Sequence, residues 1–148
     1  MERLRLELDD KRREGAAVRQ QKAFAALLSQ TNEMYDAVRR ARRRRRLKEI
    51  SDSQFVAELQ AISAHEGQVA LEELRLLAST PTAACADALW HHLRSEEVPA
   101  GRELSSESWV AWKQSYWDLR HRLVASCRSD LDNLTGVAVH WQTKEDPR

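Results

Sequence analysis

An all-α, antiparallel bundle of about four helices, opening with one long helix, is the fold this sequence predicts. Three observations point there. Only four Gly and three Pro interrupt 148 residues, so the chain has few breaks and should form a small number of long elements. Ala, Leu, Glu, Arg and Gln are abundant, and all of them favour helix. Large apolar residues recur at steps of three and four, and no run of alternating β-branched residues is long enough to build a sheet. Short connections between such helices make neighbours run antiparallel.

At 42% apolar and 32% charged, the composition suits a helix-rich chain with charged outer faces. The length is enough to bury a core without disulfides or a structural metal. Residues 1–142 read as one domain, with 1–15 frayed or projecting, and 143–148 as a disordered tail. No apolar stretch approaches the roughly 20 residues that span a bilayer. The start, Met1 to Glu14, is dense with charge of both signs and does not read as a secretory signal. The expected location is cytoplasmic, with peripheral attachment to the inner face of the membrane open to it.

Residues 2–48 read as the first helix, with a bend at Gly15 as an option. Leu4, Leu6 and Leu8 are sparse anchors among charges, and a second copy of the chain could satisfy them. From Ala16 the amphipathic pattern strengthens: Ala17, Phe24, Leu27, Leu28, Thr31, Tyr35 and Val38 form the apolar side. Arg19, Gln20, Lys22, Gln30 and Glu33 form the polar one. After the polar turn Ser51-Asp52-Ser53, a second helix reaches to about residue 77. Its stripe is Phe55, Leu59, Ile62, Val69, Leu74 and Leu77, widened by Val56, Leu71 and Leu76. Gly67 within it marks a kink or a close helix approach, and we favour the packed Gly. Thr80 as cap and Pro81 at the first helical position open a third helix through Cys85, Ala88, Leu89 and Leu93. A loop with Pro99 and Gly101 leads to the last helix, Ser105 to Leu134. Trp109, Trp112, Tyr116, Leu119, Leu123, Cys127, Leu131 and Leu134 line one side of it, and Gly136 stops it. Trp141 holds an extended segment beyond.

Charge is lopsided. Residues 1–48 carry 15 Lys/Arg against 7 Asp/Glu, a net +8. Residues 49–148 carry 9 against 16, a net −7. The first segment therefore docks on the acidic remainder or meets an external polyanion. Its focus is Arg39, Arg40, Arg42, Arg43, Arg44, Arg45, Arg46 and Lys48, eight cations in ten residues. They read either as a solvated helix end or as an anion-binding site for phosphate groups of nucleic acid or anionic lipid. Against nucleic acid, the run has no interleaved aromatics and no zinc or RNA-binding signature. Against lipid, no Trp or Phe stands beside it.

Other chemistry is poorly supplied. His65, His91, His92, His121 and His140 include no pair of Glu-x-x-His motifs; the nearest is Asp118-Leu-Arg-His121, without a mate, and no metal is expected. His121 and Cys127 stand nearly two turns apart. Ser126 has no base placed beside it, and the scattered Gly make no phosphate loop. No catalytic residue, cofactor or small-molecule substrate is inferred. Cys85 and Cys127 read as small buried hydrophobes. Trp117, rotated off the apolar stripe, is a candidate interface anchor.

Two phrases stand together in the second half. One is Leu74-Arg-Leu-Leu-Ala-Ser-Thr-Pro81, running into the Ala-rich residues 83–89. The other is Leu123-Val-Ala-Ser-Cys-Arg-Ser-Asp-Leu131. The pairing, over residues 69–134, resembles a broad set of uncharacterised helical proteins from high-GC actinobacteria. Arg outnumbers Lys 19 to 5 beside 20 Ala, in keeping with such an origin. Many of those proteins carry one or two membrane helices, and this sequence shows none. The resemblance implies a helical fold and a bacterial source, and it brings no activity or site residue with it. The function expected is that of a non-enzymatic interaction or structural module. It would meet a protein partner or a second copy, or use the basic run at an anionic surface. The alternative is a nucleic-acid-binding accessory protein.

Overall fold

A computed structural model of the chain describes residues 2–62, 64–94 and 106–135. All of its regular structure is helical, in five helices among the described residues: α1 (Glu2–Arg46), α2 (Asp52–Ala61), α3 (His65–Leu77), α4 (Thr80–Leu93) and α5 (Ser106–Thr135). The loop with Pro99 and Gly101, Gly136, His140, Trp141 and the tail lie outside the described residues.

α1, α3, α4 and α5 form a ring in which each packs on the next, and α1 also touches α4 across it. α2 packs on α1 and on none of the other described helices. The centre holds Leu27, Leu71, Leu74, Leu89, Tyr116, Leu123 and Cys127, all fully buried. Along α1 and α5, Gln20 meets Asp130 and Tyr35 stacks on Tyr116 with ring centroids 4.0 Å apart. α1 is helical from Glu2, yet residues 2–14 are all exposed, Leu4 and Leu6 at 65%. That stretch contributes no burial to the core.

The expected second helix is two helices, and the reason lies in its phase. At about 100° per residue, Phe55, Leu59 and Ile62 fall on one line. Gly67, Ala70, Leu71 and Leu74, the buried face of α3, fall roughly 100° around from it. A straight helix could not turn both stripes onto α1. The break at Ile62, where the backbone is extended, resets the phase. Val69 and Leu77, which continue the α2 stripe, are consequently 43% and 40% exposed, and Leu76 is 85% exposed.

Gly67 is a packed Gly. A Cβ there would overlap Cη2 and Cζ3 of Trp90, so the outer edge of the α4 indole lies against the backbone of α3. Trp90 is buried, and it takes the room that the missing side chain leaves. At the start of α4 the cap is Ser79 rather than Thr80: its Oγ accepts the Thr82 N–H at 3.4 Å, and Pro81 is the second helical residue. Thr82 can then turn inward, fully buried, and hydrogen-bond the Ser126 hydroxyl of α5. Asp130 accepts from the Ser79 N–H at 3.0 Å and from the Gln20 amide at 3.2 Å. Gln20, expected on the polar face, is only 2% exposed because α5 closes over it through this contact.

Candidate anion-binding cleft

The Arg run closes α1, and a Schellman turn stops it. The Glu49 N–H donates to the Arg44 carbonyl at 2.9 Å, and the Lys48 N–H to the Arg45 carbonyl at 3.0 Å. Lys48 takes the left-handed φ of 57° that this turn requires. A hydrophobic contact commonly clasps such a turn; here Arg44 Nε stands 3.8 Å from Glu49 Oε2 instead. Buried Ile50 follows, then a capping box. The Ser51 N–H donates to Gln54 Oε1 at 2.7 Å and the Gln54 N–H to Ser51 Oγ at 3.2 Å, which starts α2 immediately.

This short return brings α2 back along the basic end of α1 and divides the run. Arg45 pairs with Asp52 at 2.9 Å, lies over the Phe55 ring at 4.9 Å, and has a side chain only 15% exposed. Arg44 pairs with Glu49 and Glu58. These two cations fasten α2.

Arg39, Arg42, Arg43 and Arg46 fall within an arc of about 100° on another face of α1. With Arg40 and Lys113 of α5 they line a cleft of about 520 Å³, which Trp109 and Leu47 also line. Asp36, 3.6 Å from Arg39, is the one carboxylate among the described residues that line it. Arg42 lies over the Trp109 indole at 4.4 Å, with the Lys113 ammonium 5.8 Å from the same ring. Among the described residues no ion pair engages Arg40, Arg43, Arg46 or Lys48. The negative end of the α1 dipole and the positive end of α5 meet here with opposite sign, so side chains dominate the field.

Aromatics thus do stand beside the run, contrary to the sequence reading. Phe55 and Trp109 come from other helices, seven or more residues away along the chain, and a scan of neighbouring positions misses them. Trp109 itself is held rigidly: it stacks on Trp112 at 5.1 Å, and Trp112 stacks on Tyr35 at 5.8 Å. Trp117 is 39% exposed, with its edge against Tyr35 and Tyr116 and Arg120 over its face at 5.7 Å.

The remaining candidates are placed apart. His65, His91 and His121 are exposed. His92, half-buried, donates from Nε2 to the Trp112 carbonyl at 2.9 Å and stacks on that indole at 5.0 Å. Among the described residues, no group of three or more His, Cys, Asp or Glu could hold a metal ion, and no helix is long and apolar enough to cross a membrane. Cys127 is fully buried, and burial drives its thiol pKa well above the ordinary value. Asp130 and Cys85 add to the shift, which makes the two cysteines electrostatic neighbours. Such a thiol stays protonated and makes a poor nucleophile. Burial likewise raises Tyr116, against the smaller opposing pull of Arg120.

Comparison with known protein families, with curated proteins and with solved structures finds no match for this chain.

Proposed function

We propose that the chain is a non-enzymatic binding module that docks onto an anionic partner through the cleft at the basic end of α1. One observation carries the reading. Among the described residues, six cations from two helices line a common cleft beside a single carboxylate, while Arg44 and Arg45, of the same run, are neutralised by α2. A solvated helix end would spread its cations outward; here Lys113 of α5 joins them from a different element. The field of such a cluster draws anions and speeds their encounter.

The reading keeps the bundle as a single antiparallel scaffold. Gln20 with Asp130, Tyr35 with Tyr116 and Arg42 with Trp109 run in opposite order along α1 and α5, which supports that arrangement. It suits a cytoplasmic protein that attaches peripherally to an anionic face. The exposed Leu4, Leu6 and Leu8, with Trp117, are the surfaces left for a protein partner or a second copy.

The test is binding of fluorescent duplex DNA and of phosphatidylserine vesicles at low and at physiological salt, with the Arg43→Ser/Arg46→Ser variant alongside. Binding that weakens with salt and fails in the variant supports the cleft. Equal binding by the variant, or none by the wild type to any anion, removes the reading.

A further inference from the structure

The chemistry of the anion can be narrowed. We infer that the cleft takes a compact ligand carrying two or more neighbouring phosphate groups, seated between α1 and α5. This rests on the docking proposed above and adds the class of ligand.

Size is the first argument. A cleft of about 520 Å³ lies within the range of small-molecule sites, roughly 300–1,000 Å³. The second is length. From Arg39 to Arg46 the basic face covers about 10 Å of helix, only about three phosphates of a duplex strand at 3.4 Å axial rise each.

What lies next door supplies the third argument. On its other side α1 borders a second cleft, of about 570 Å³, which shares Asp36 and Arg40 with the first but is lined by Glu33 and Glu66. An extended polyanion continuing past Arg40 in that direction meets carboxylates. A compact one stays among cations.

The fourth argument concerns charge and order. Several guanidinium groups confined with one ammonium repel one another, and a lone phosphate relieves little of that; two or three adjacent phosphates relieve most. Guanidinium forks match phosphate oxygens in pairs. Arg42 is already held over the Trp109 indole, so part of the ordering cost of binding is met before the ligand arrives.

A soluble molecule and a polyphosphorylated lipid headgroup both present this chemistry, and the experiment separates them. Sodium tripolyphosphate is titrated calorimetrically against the protein, with Trp fluorescence, to which Trp109 of the cleft contributes, as a second signal. Vesicles with phosphatidylinositol bisphosphate, vesicles with phosphatidylserine alone, and duplex DNA are the other arms. Tripolyphosphate is expected to bind, to bind well above orthophosphate, and to displace the other anions. Lys113→Ser and Arg43→Ser should each weaken it by about tenfold, and Arg44→Ser, whose guanidinium fastens α2, by less than about threefold. Circular dichroism melting confirms that each variant is folded.

Bisphosphate vesicles bound far above phosphatidylserine would assign a lipid source; tripolyphosphate bound without such a preference would assign a soluble one. Duplex DNA or phosphatidylserine bound through Arg43 and Arg46, with tripolyphosphate neither binding nor competing, would overturn this inference and leave the docking intact. Indifference to Lys113→Ser would overturn it too, since the cleft would then not be the site. No binding in any arm removes both.

Discussion

Arg43 and Arg45 stand two residues apart on one helix and meet opposite surroundings. Arg45 lies under α2, stacked over Phe55 and paired with Asp52, with most of its side chain covered. Arg43 faces a cleft in which, among the described residues, every other charge but one is also positive. The residues are chemically identical, and the covering helix alone separates them. A run of cations is therefore not one feature. Where carboxylates of a neighbouring element reach it, the guanidinium groups are mortar; where they do not, the charge remains available.

The strongest way to break this contrast is to remove the aromatic on each side. Trp109→Ala takes a buried ring out of the stack with Trp112 and should lower global stability by about 3–5 kcal/mol. Arg42 loses its platform in the same step. Phe55→Ala also empties a buried site, but α2 packs on α1 alone, so the damage should stay local. Hydrogen exchange separates the outcomes: amides of α2 should open in Phe55→Ala while those of α5 keep their protection. Equal loss in both helices would mean that α2 is integral to the ring.

Alkaline pH sharpens the comparison from another side. Guanidinium groups on both faces stay charged throughout, so they add no alkaline response of their own. Cys127 is the clearest source. Its folded thiol holds its proton above the ordinary value of 9.0, where an unfolded one releases it. The unfolded state then binds fewer protons, and stability falls as pH rises above about 9, by up to about 1.4 kcal/mol per pH unit. Below that the contribution is fully present. Urea titrations between pH 8 and 10.5 should show this slope, and Cys127→Ala should flatten it. Burial acts on Tyr116 in the same sense at higher pH.

Next in size is the direct comparison. Arg45→Ala should cost about 1–2 kcal/mol, the loss of a cation–π contact and a part-covered ion pair. Arg43→Ala and Arg46→Ala should change stability by less than about 0.5 kcal/mol, and at low salt should raise it as repulsion is relieved. Thermal melts at two ionic strengths give all three values. A cost for Arg43→Ala as large as that for Arg45→Ala would erase the distinction between the faces.

How far the residues alone could lead is plain from the same places. Apolar spacing located α1, α4 and α5, with Phe24, Leu27, Tyr35, Leu89, Trp112 and Leu123 all in the core. Gly67 was legible as a close approach, though Trp90, which occupies it, was not. The break after Ala61 escaped because both halves are individually helical; only the phase slip between Ile62 and Gly67 carried the signal. The basic run was visible as composition. Its division was not, because the residues that divide it arrive from α2 and α5. Periodicity describes one helix against its own axis, and the division of the run is a relation between three.

A smaller effect than that of Arg45→Ala tests whether the turn that makes the division is itself under strain. Lys48 occupies the left-handed position at the end of α1 with a side chain, where Gly is the usual occupant. A β-carbon there costs roughly 1–2 kcal/mol against the following carbonyl. Gly removes that cost but has more freedom to lose on folding, so Lys48→Gly should gain only about 0.5–1 kcal/mol. Lys48 is absent from the residues lining the cleft, so tripolyphosphate affinity should hold while the melt moves up. If affinity fell with stability raised, the ammonium of Lys48 would belong with the cations of the cleft. The boundary between the two faces of the run would then lie two residues later than Arg46.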